Sequence, residues 1–209
     1  MEFSDKQLQI LETAERLFAD TGFDGTSVRD IADAAGVNVA MISYYFGSKE
    51  KLLEALFNYR AIGASAKVQA ILADTTLDPM QKVERMIDYY IDKFENQNCF
   101  HKIMMREQVA IQRTTTASLI LDFKKRNQQL ISQLIHEGQK AGIFVKHIDV
   151  PIIMATLIGT VSHMYTTQHF YREVNGLQSL SDEQFQKHIR KKLGTHLKFL
   201  FKAILTHEA

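Results

Sequence analysis

The stretch Gly25–Leu52, GTSVRDIADAAGVNVAMISYYFGSKEKL, leaves the chain few choices. It reads as two short helices joined by a tight turn, with a third helix beginning at once. Thr26 or Ser27 can cap the first, because a hydroxyl oxygen there accepts an otherwise free backbone N–H. Val28, Ile31, Ala32 and Ala35 follow at helical spacing and make one apolar face. Ala32 is small enough to let a second helix cross at roughly 90–120°. Gly36 stands where the chain must turn sharply, in a left-handed conformation that costs glycine little. Val37, Ile42 and Phe46 supply the core side of a second helix, from about Val39 to Tyr45. This is the grammar of a helix-turn-helix.

The remainder reads as helical too. Two prolines, ten glycines and few alternating β-branched runs in 209 residues predict an all-α protein. Ser4 to Gln7 spells a capping box for a first helix, with Leu11, Ala14, Leu17 and Phe18 inward and Thr21-Gly22 at its end. Ser48 caps a helix from Lys49 to about Ala73, and Pro79 starts another after a break at Thr75–Asp78. Helical spacing then covers 80–97, Phe100 to Arg113, Ala117 to Lys140 and Pro151 to about Arg172. A second S-x-x-Q box, Ser181 to Gln184, opens a last helix with Phe185, Ile189, Leu193, Leu197, Leu200 and Ile204 on one side. The expectation is about nine helices. Residues 1–47 form a helix-turn-helix domain, 48–73 a connecting helix and 74–209 a second helical domain.

Several classes of chemistry find no support. Cys99 is the one cysteine, which excludes an intramolecular disulfide and fits a reducing compartment. The eight histidines form no His-x-x-x-His pair and no Cys/His cluster, so no metal is expected. No glycine-rich phosphate loop or nucleophile elbow is present; the chain does not read as an enzyme, and no cofactor is implied. The longest apolar stretch, Pro151 to Tyr165, is short and broken by Thr156, Thr160, Ser162 and His163, which argues against a membrane span and for a cytoplasmic protein. Charge sets a constraint of its own. The chain carries net +1, and residues 1–60 hold six basic against ten acidic side chains, a balance of −4. Any attraction to nucleic acid must be local, through lysines, hydroxyls and helix N-termini. Lys124–Arg126 and Arg190–Lys192 read as solvated helix faces.

With its flanks, the segment resembles the DNA-binding region of the TetR family of bacterial transcriptional regulators. Gly25–Ala32, Ala35–Val37, Ile42–Phe46 and Ser48–Leu52 carry the likeness. In that reading the Val39–Tyr45 helix enters the major groove of double-stranded DNA. Asn38, Val39, Ala40, Met41 and Ser43 can face bases, with Tyr44 close by. Val39, Ala40 and Met41 suit thymine methyls, while Ser43 or Asn38 can hydrogen-bond. The family pattern puts Thr26, Tyr45 and Lys49 on the phosphate backbone, with Ser27 beside them. Ser43 stands where an aromatic is common and Tyr45 where histidine is, which bears on operator preference.

The resemblance also implies a homodimer on a palindromic operator, and repression relieved by a small effector. For the effector site the chain offers Phe94, His101, Met104, Met105, Gln108, Phe123, His163 and Tyr165, with Phe100, Met164 and Phe170 nearby in sequence. These suit a mainly apolar molecule. For the dimer, Ala155, Gly159 and His163 recur every fourth residue with Thr156 and Thr160 beside them, and Leu193, Leu197 and Leu200 stripe the last helix. The alternative is a helical interaction module whose helix-turn-helix is structural, a reading the acidic N-terminal region favours.

Overall fold

The computed structural model describes residues 3–96, 98–109 and 114–207, and among these every regular element is helical. The described residues form ten helices: α1 Asp5–Gly25, α2 Val28–Ala35, α3 Val39–Phe46, α4 Lys49–Ala73, α5 Pro79–Asn96, α6 Asn98–Val109, α7 Thr114–Lys140, α8 Val150–Thr166, α9 Gln168–Val174 and α10 Asp182–Thr206. The expected ends at Gln97 and Arg113 lie outside the described residues. The tenth helix comes from a break in the segment expected to run unbroken to Arg172. Thr166 and Thr167 turn their hydroxyls back onto the carbonyls of Ser162 and His163, each at 2.8 Å. The Thr167 amide still bonds the His163 carbonyl at 2.9 Å, and α8 ends there as Thr167 leaves helical geometry at φ −106° and ψ 20°. The first helix likewise runs past Gly22, which kinks it at φ 83°.

The chain packs as two units. The first takes α1, α2, α3, α4 through Ser65, α6 and α7 through Lys125. Its core joins Ile10, Leu11, Ala14 and Phe18 of α1 to Ile31, Ala32, Ile42, Leu52, Leu56 and Phe57, with Phe100 and Ile103 from α6. Burying each large apolar side chain contributes ~1.5–3 kcal/mol. One charge pair enters this unit: Arg60 donates from Nε and Nη2 to the same oxygen of buried Glu15, at 2.8 and 2.6 Å. Burial pushes the Glu15 carboxyl up, and Arg60 and the Phe100 amide hold it back.

The second unit takes α4 from Ala66, α5, α7 from Arg126, and α8 to α10. Its core runs through Val83, Ile87, Tyr90 and Ile91 of α5, Leu134 and Ile135 of α7, Leu157 and Val161 of α8, and Ile189, Leu193, Leu197 and Phe201 of α10. Arg190 and Lys198 of α10 bind Asp92 and Asp88 of α5 at 2.6 and 2.7 Å. Buried Lys82 donates to the Leu72 carbonyl at 2.8 Å and to Glu137 at 2.7 Å, capping the end of α4. Phe144 lies flat on Gly138, where a Cβ would stand 2.0 Å from the ring. Among the described residues no helix is long and apolar enough to cross a membrane, and no cluster of metal-binding side chains occurs.

Candidate nucleic-acid interface

Local rules build the helix-turn-helix. Ser27 and Asp30 exchange backbone bonds at 3.1 and 2.7 Å, so Ser27 is the cap of α2. The same amide, then the hydroxyl, holds the Asp30 carboxyl below its usual range. Gly36 closes α2 in the left-handed region at φ 61°, and the Val37 amide reaches back to Ala32 at 3.0 Å. Asn38 caps α3 by accepting the Ala40 amide at 2.9 Å. Ile42 is the buried anchor of α3, and Ala32, fully buried, takes part in the α2 side of the same core. Gln9 of α1 ties the assembly from behind by donating to the Ala35 carbonyl at 2.8 Å.

With Ile42 inside, α3 turns Val39, Ala40, Ser43 and Tyr44 outward, and Asn38 is exposed at its start. Tyr44 is 84% exposed, the most of any large hydrophobic side chain described. Met41 and Tyr45 are half-buried; Tyr45 lies edge-on between Tyr44 and Phe46, at 5.2 and 6.4 Å. Ser27 is exposed at the N-terminus of α2, where the helix dipole favours an anion.

Thr26 and Lys49, both expected at the phosphate backbone, make bonds within the protein. Thr26 is 2% exposed, and its hydroxyl is used 2.7 Å from the Gly22 carbonyl and 2.8 Å from the Thr21 hydroxyl. It holds the turn between α1 and α2 and does not present itself to a phosphate. Lys49 donates to the carbonyls of Phe23 and Thr26, at 2.8 and 2.9 Å, and sits 4.3 Å from the centre of the Phe23 ring. Two of its three donors are thus taken inside the protein. Arg29 was not singled out from the sequence. It is exposed in the first turn of α2, two residues from Ser27, and makes no ion pair among the described residues.

Residues 10–56 match the family described as bacterial regulatory proteins, tetR family, and residues 79–194 match the tetracyclin repressor-like C-terminal domain. The chain belongs to the TetR family. It is a DNA-binding transcriptional regulator of that family. Among TetR relatives, the probable HTH-type transcriptional regulator YttP of Bacillus subtilis is 28% identical over 81% of this chain and 82% of its own. The HTH-type transcriptional repressor KstR2 of Mycobacterium tuberculosis is 26% identical over 69% of this chain and 72% of its own. The fold is also that of a regulator from Saccharomonospora viridis solved with choline, at TM-score 0.71 and 21% identity, covering 99% of this chain and 100% of that one.

The residues expected to line one effector site are divided between the two units. Met104 is buried in the first unit's core and Phe123 packs against it, 5.7 Å from the Phe100 ring. His101 is half-buried in the same unit, and Met105 is exposed. Phe94 is in the second unit's core, Met164 and Tyr165 pack beside it, and His163 and Phe170 are exposed. The Gln108 side chain lies outside the described residues. None of these lines the cavity of the second unit, which is walled by α5, α7, α8 and α10. Helical spacing marked apolar faces; which face met which was beyond it.

The dimer stripe is corrected in part. Leu193 and Leu197 are 3% and 0% exposed inside their own unit, so no partner can reach them, and Leu200 is half-buried. Ala155, Gly159 and His163 are exposed on α8, with Thr156 and Thr160 half-buried beside them. The outward large apolar residues of α10 are Phe199, 75% exposed, and Ile204, 38% exposed, although Ile204 was expected on the inward side.

Proposed function

We propose that this regulator is a homodimeric repressor that reads a palindromic operator with α3 and leaves it when an apolar effector binds. The observation that carries the reading is the outward face of α3. Val39, Ala40, Ser43 and Tyr44 stand exposed on a short helix anchored by Ile42 and capped by Asn38. Val39 and Ala40 suit thymine methyls, and Ser43 and the free amide of Asn38 suit base edges. Ser27 and Arg29 at the start of α2 supply phosphate contacts, with the remaining donor of Lys49 as a further one. Residues 1–60 have a balance of −4, so these few contacts carry the affinity and non-specific binding is weak.

For the dimer, support comes from the exposed small residues of α8 and from Phe199 of α10. Helix pairs from two chains form a four-helix bundle, with Phe199 set against the Ala155–Gly159 face. Repression is supported by the character of KstR2, which is named a repressor. An effector that prefers the form with mis-spaced readers weakens DNA binding through a coupling of ~1–3 kcal/mol, roughly 5–150-fold.

The test is selection of bound sequences from random duplex DNA at two salt concentrations. Enrichment of a palindrome with half-sites about one helical turn apart, or a multiple of it, is expected. Absence of any enriched site even at low salt would sink the assignment to α3 and favour the interaction-module alternative.

A further inference from the structure

Residues 1–60 carry six basic side chains against ten acidic ones, so the partner of each cation matters. Lys49 is bonded to the carbonyls of Phe23 and Thr26, Lys51 to Glu54 at 2.6 Å and Arg60 to Glu15 at 2.6 Å. Arg16 donates to the Thr13 hydroxyl at 3.3 Å and stands ten residues, roughly 15 Å, along α1 from Lys6. Besides Arg29, that leaves Lys6. It is exposed, and its hydrogen bond among the described residues runs to a neutral group, Oε1 of Gln9, at 3.1 Å.

That bond fixes where Lys6 stands. Gln9, one turn further along the same face of α1, donates through Nε2 to the Ala35 carbonyl at 2.8 Å. Ala35 is the last residue of α2; Gly36 then turns the chain in the left-handed region, and Asn38 caps α3. One glutamine side chain therefore separates the Lys6 ammonium from the turn that leads into α3. The second helix of a helix-turn-helix meets base edges with its N-terminal residues, in a major groove ~12 Å wide. An ammonium on a flexible four-carbon stem beside that turn can swing to the strand bordering the groove. The oxygen it leaves is neutral, whereas a phosphate oxygen carries charge.

A plainer role is also served at this place, because the carbonyl end of α2 is the negative pole of the helix and a nearby cation stabilises it. The two roles part on DNA: a cation that serves α2 alone releases no counterions from the duplex. Exposed Asp5 precedes Lys6, and exposed Asp33 lies two residues before Ala35. Without the lysine, two carboxylates would be left there to repel the DNA backbone.

We propose that Lys6 of α1 is a phosphate contact of the reader, set beside the turn into α3 by Gln9, so that the DNA footprint extends beyond α2, α3 and the start of α4. The inference rests on the reading of α3 given above.

Fluorescence anisotropy of the full chain against salt, on the selected operator and on an unrelated duplex, tests it. Lys6→Ala should reduce the slope of log affinity on log salt by about 0.9 for each protomer on the DNA. The loss should be the same on both duplexes, since a phosphate carries no sequence, and the melting temperature should not move. Lys6→Arg should restore the slope. An unchanged slope in Lys6→Ala, with or without a lower melting temperature, overturns the proposal and leaves the reading by α3 standing. A loss confined to the operator overturns it too, because Lys6 would then act by shaping α3. If the parent protein binds neither duplex even at low salt, both readings fall.

Discussion

Thr26→Val keeps the shape of a buried side chain and removes its hydroxyl. That hydroxyl lies 2.7 Å from the Gly22 carbonyl and 2.8 Å from the Thr21 hydroxyl. At 2% exposure no water can replace it, so the Gly22 carbonyl is left without this donor. Stranding a buried acceptor costs about 1–3 kcal/mol. Thr21 keeps its own bond to the Leu17 carbonyl at 2.9 Å, so one acceptor is stranded and not two. The lower part of the range, about 1–2 kcal/mol, is therefore expected. For a unit of this size each kcal/mol lowers the melting temperature by roughly 4–8 °C. DNA affinity is then measured against salt on the selected operator. With no hydroxyl at a phosphate, affinity at fixed salt and well below the melting transition should change less than about twofold, whereas Arg29→Ala should reduce the slope of log affinity on log salt by about 0.9 for each phosphate no longer neutralised. An unchanged melting temperature together with an affinity about tenfold weaker at fixed salt would refute the reasoning and put Thr26 on the DNA.

Three further perturbations bear on other parts of the molecule. Phe199→Asp should leave the melting temperature of the isolated protomer nearly unchanged, since Phe199 is 75% exposed, and weaken dimerisation at least tenfold in sedimentation; a dimer of undiminished affinity would remove Phe199 from the interface. Gly138→Ala places a Cβ 2.0 Å from the Phe144 ring and should cost about 1–3 kcal/mol in thermal unfolding, with Phe144→Ala in the same chain removing the clash. Asp30, Asp74 and Glu183 have carboxyls held low by the Ser27 amide, the Thr76 hydroxyl and Lys187 respectively. A depressed folded value means stability that is present above the ordinary carboxylate range and lost as pH falls through it. The melting temperature of the parent should therefore drop between about pH 5 and pH 3 more steeply than that of Asp30→Asn. Glu15, whose carboxyl is pushed up, acts in the opposite sense in both proteins and leaves that difference intact. Parallel curves would count against the Ser27–Asp30 cap as a source of acid sensitivity.

Where a role depended on residues within about one helical turn, the sequence was sufficient. Ser4 with Gln7, Ser27, Gly36, and Ser181 with Gln184 all act as helix ends in the structure. The inward Ile42 and outward Ser43 and Tyr44 of α3 follow from the same short-range geometry. The all-α class and the helix-turn-helix were legible for that reason: capping, left-handed turns and helical periodicity are set by neighbours three or four positions away.

Tertiary packing decided what those faces meet. Leu193 and Leu197 form a stripe that could serve a partner or the chain's own core, and only assembly with α5 and α8 sends it inward. Met104 and Phe94 both look like pocket walls in sequence, yet one belongs to the core around Ile10 and Phe57 and the other to the core around Tyr90 and Leu197. Lys49 finds its carbonyls 23 and 26 residues away, beyond any local rule. Hydrophobic burial has no direction of its own, so periodicity names the face to be covered and leaves its cover to the rest of the chain.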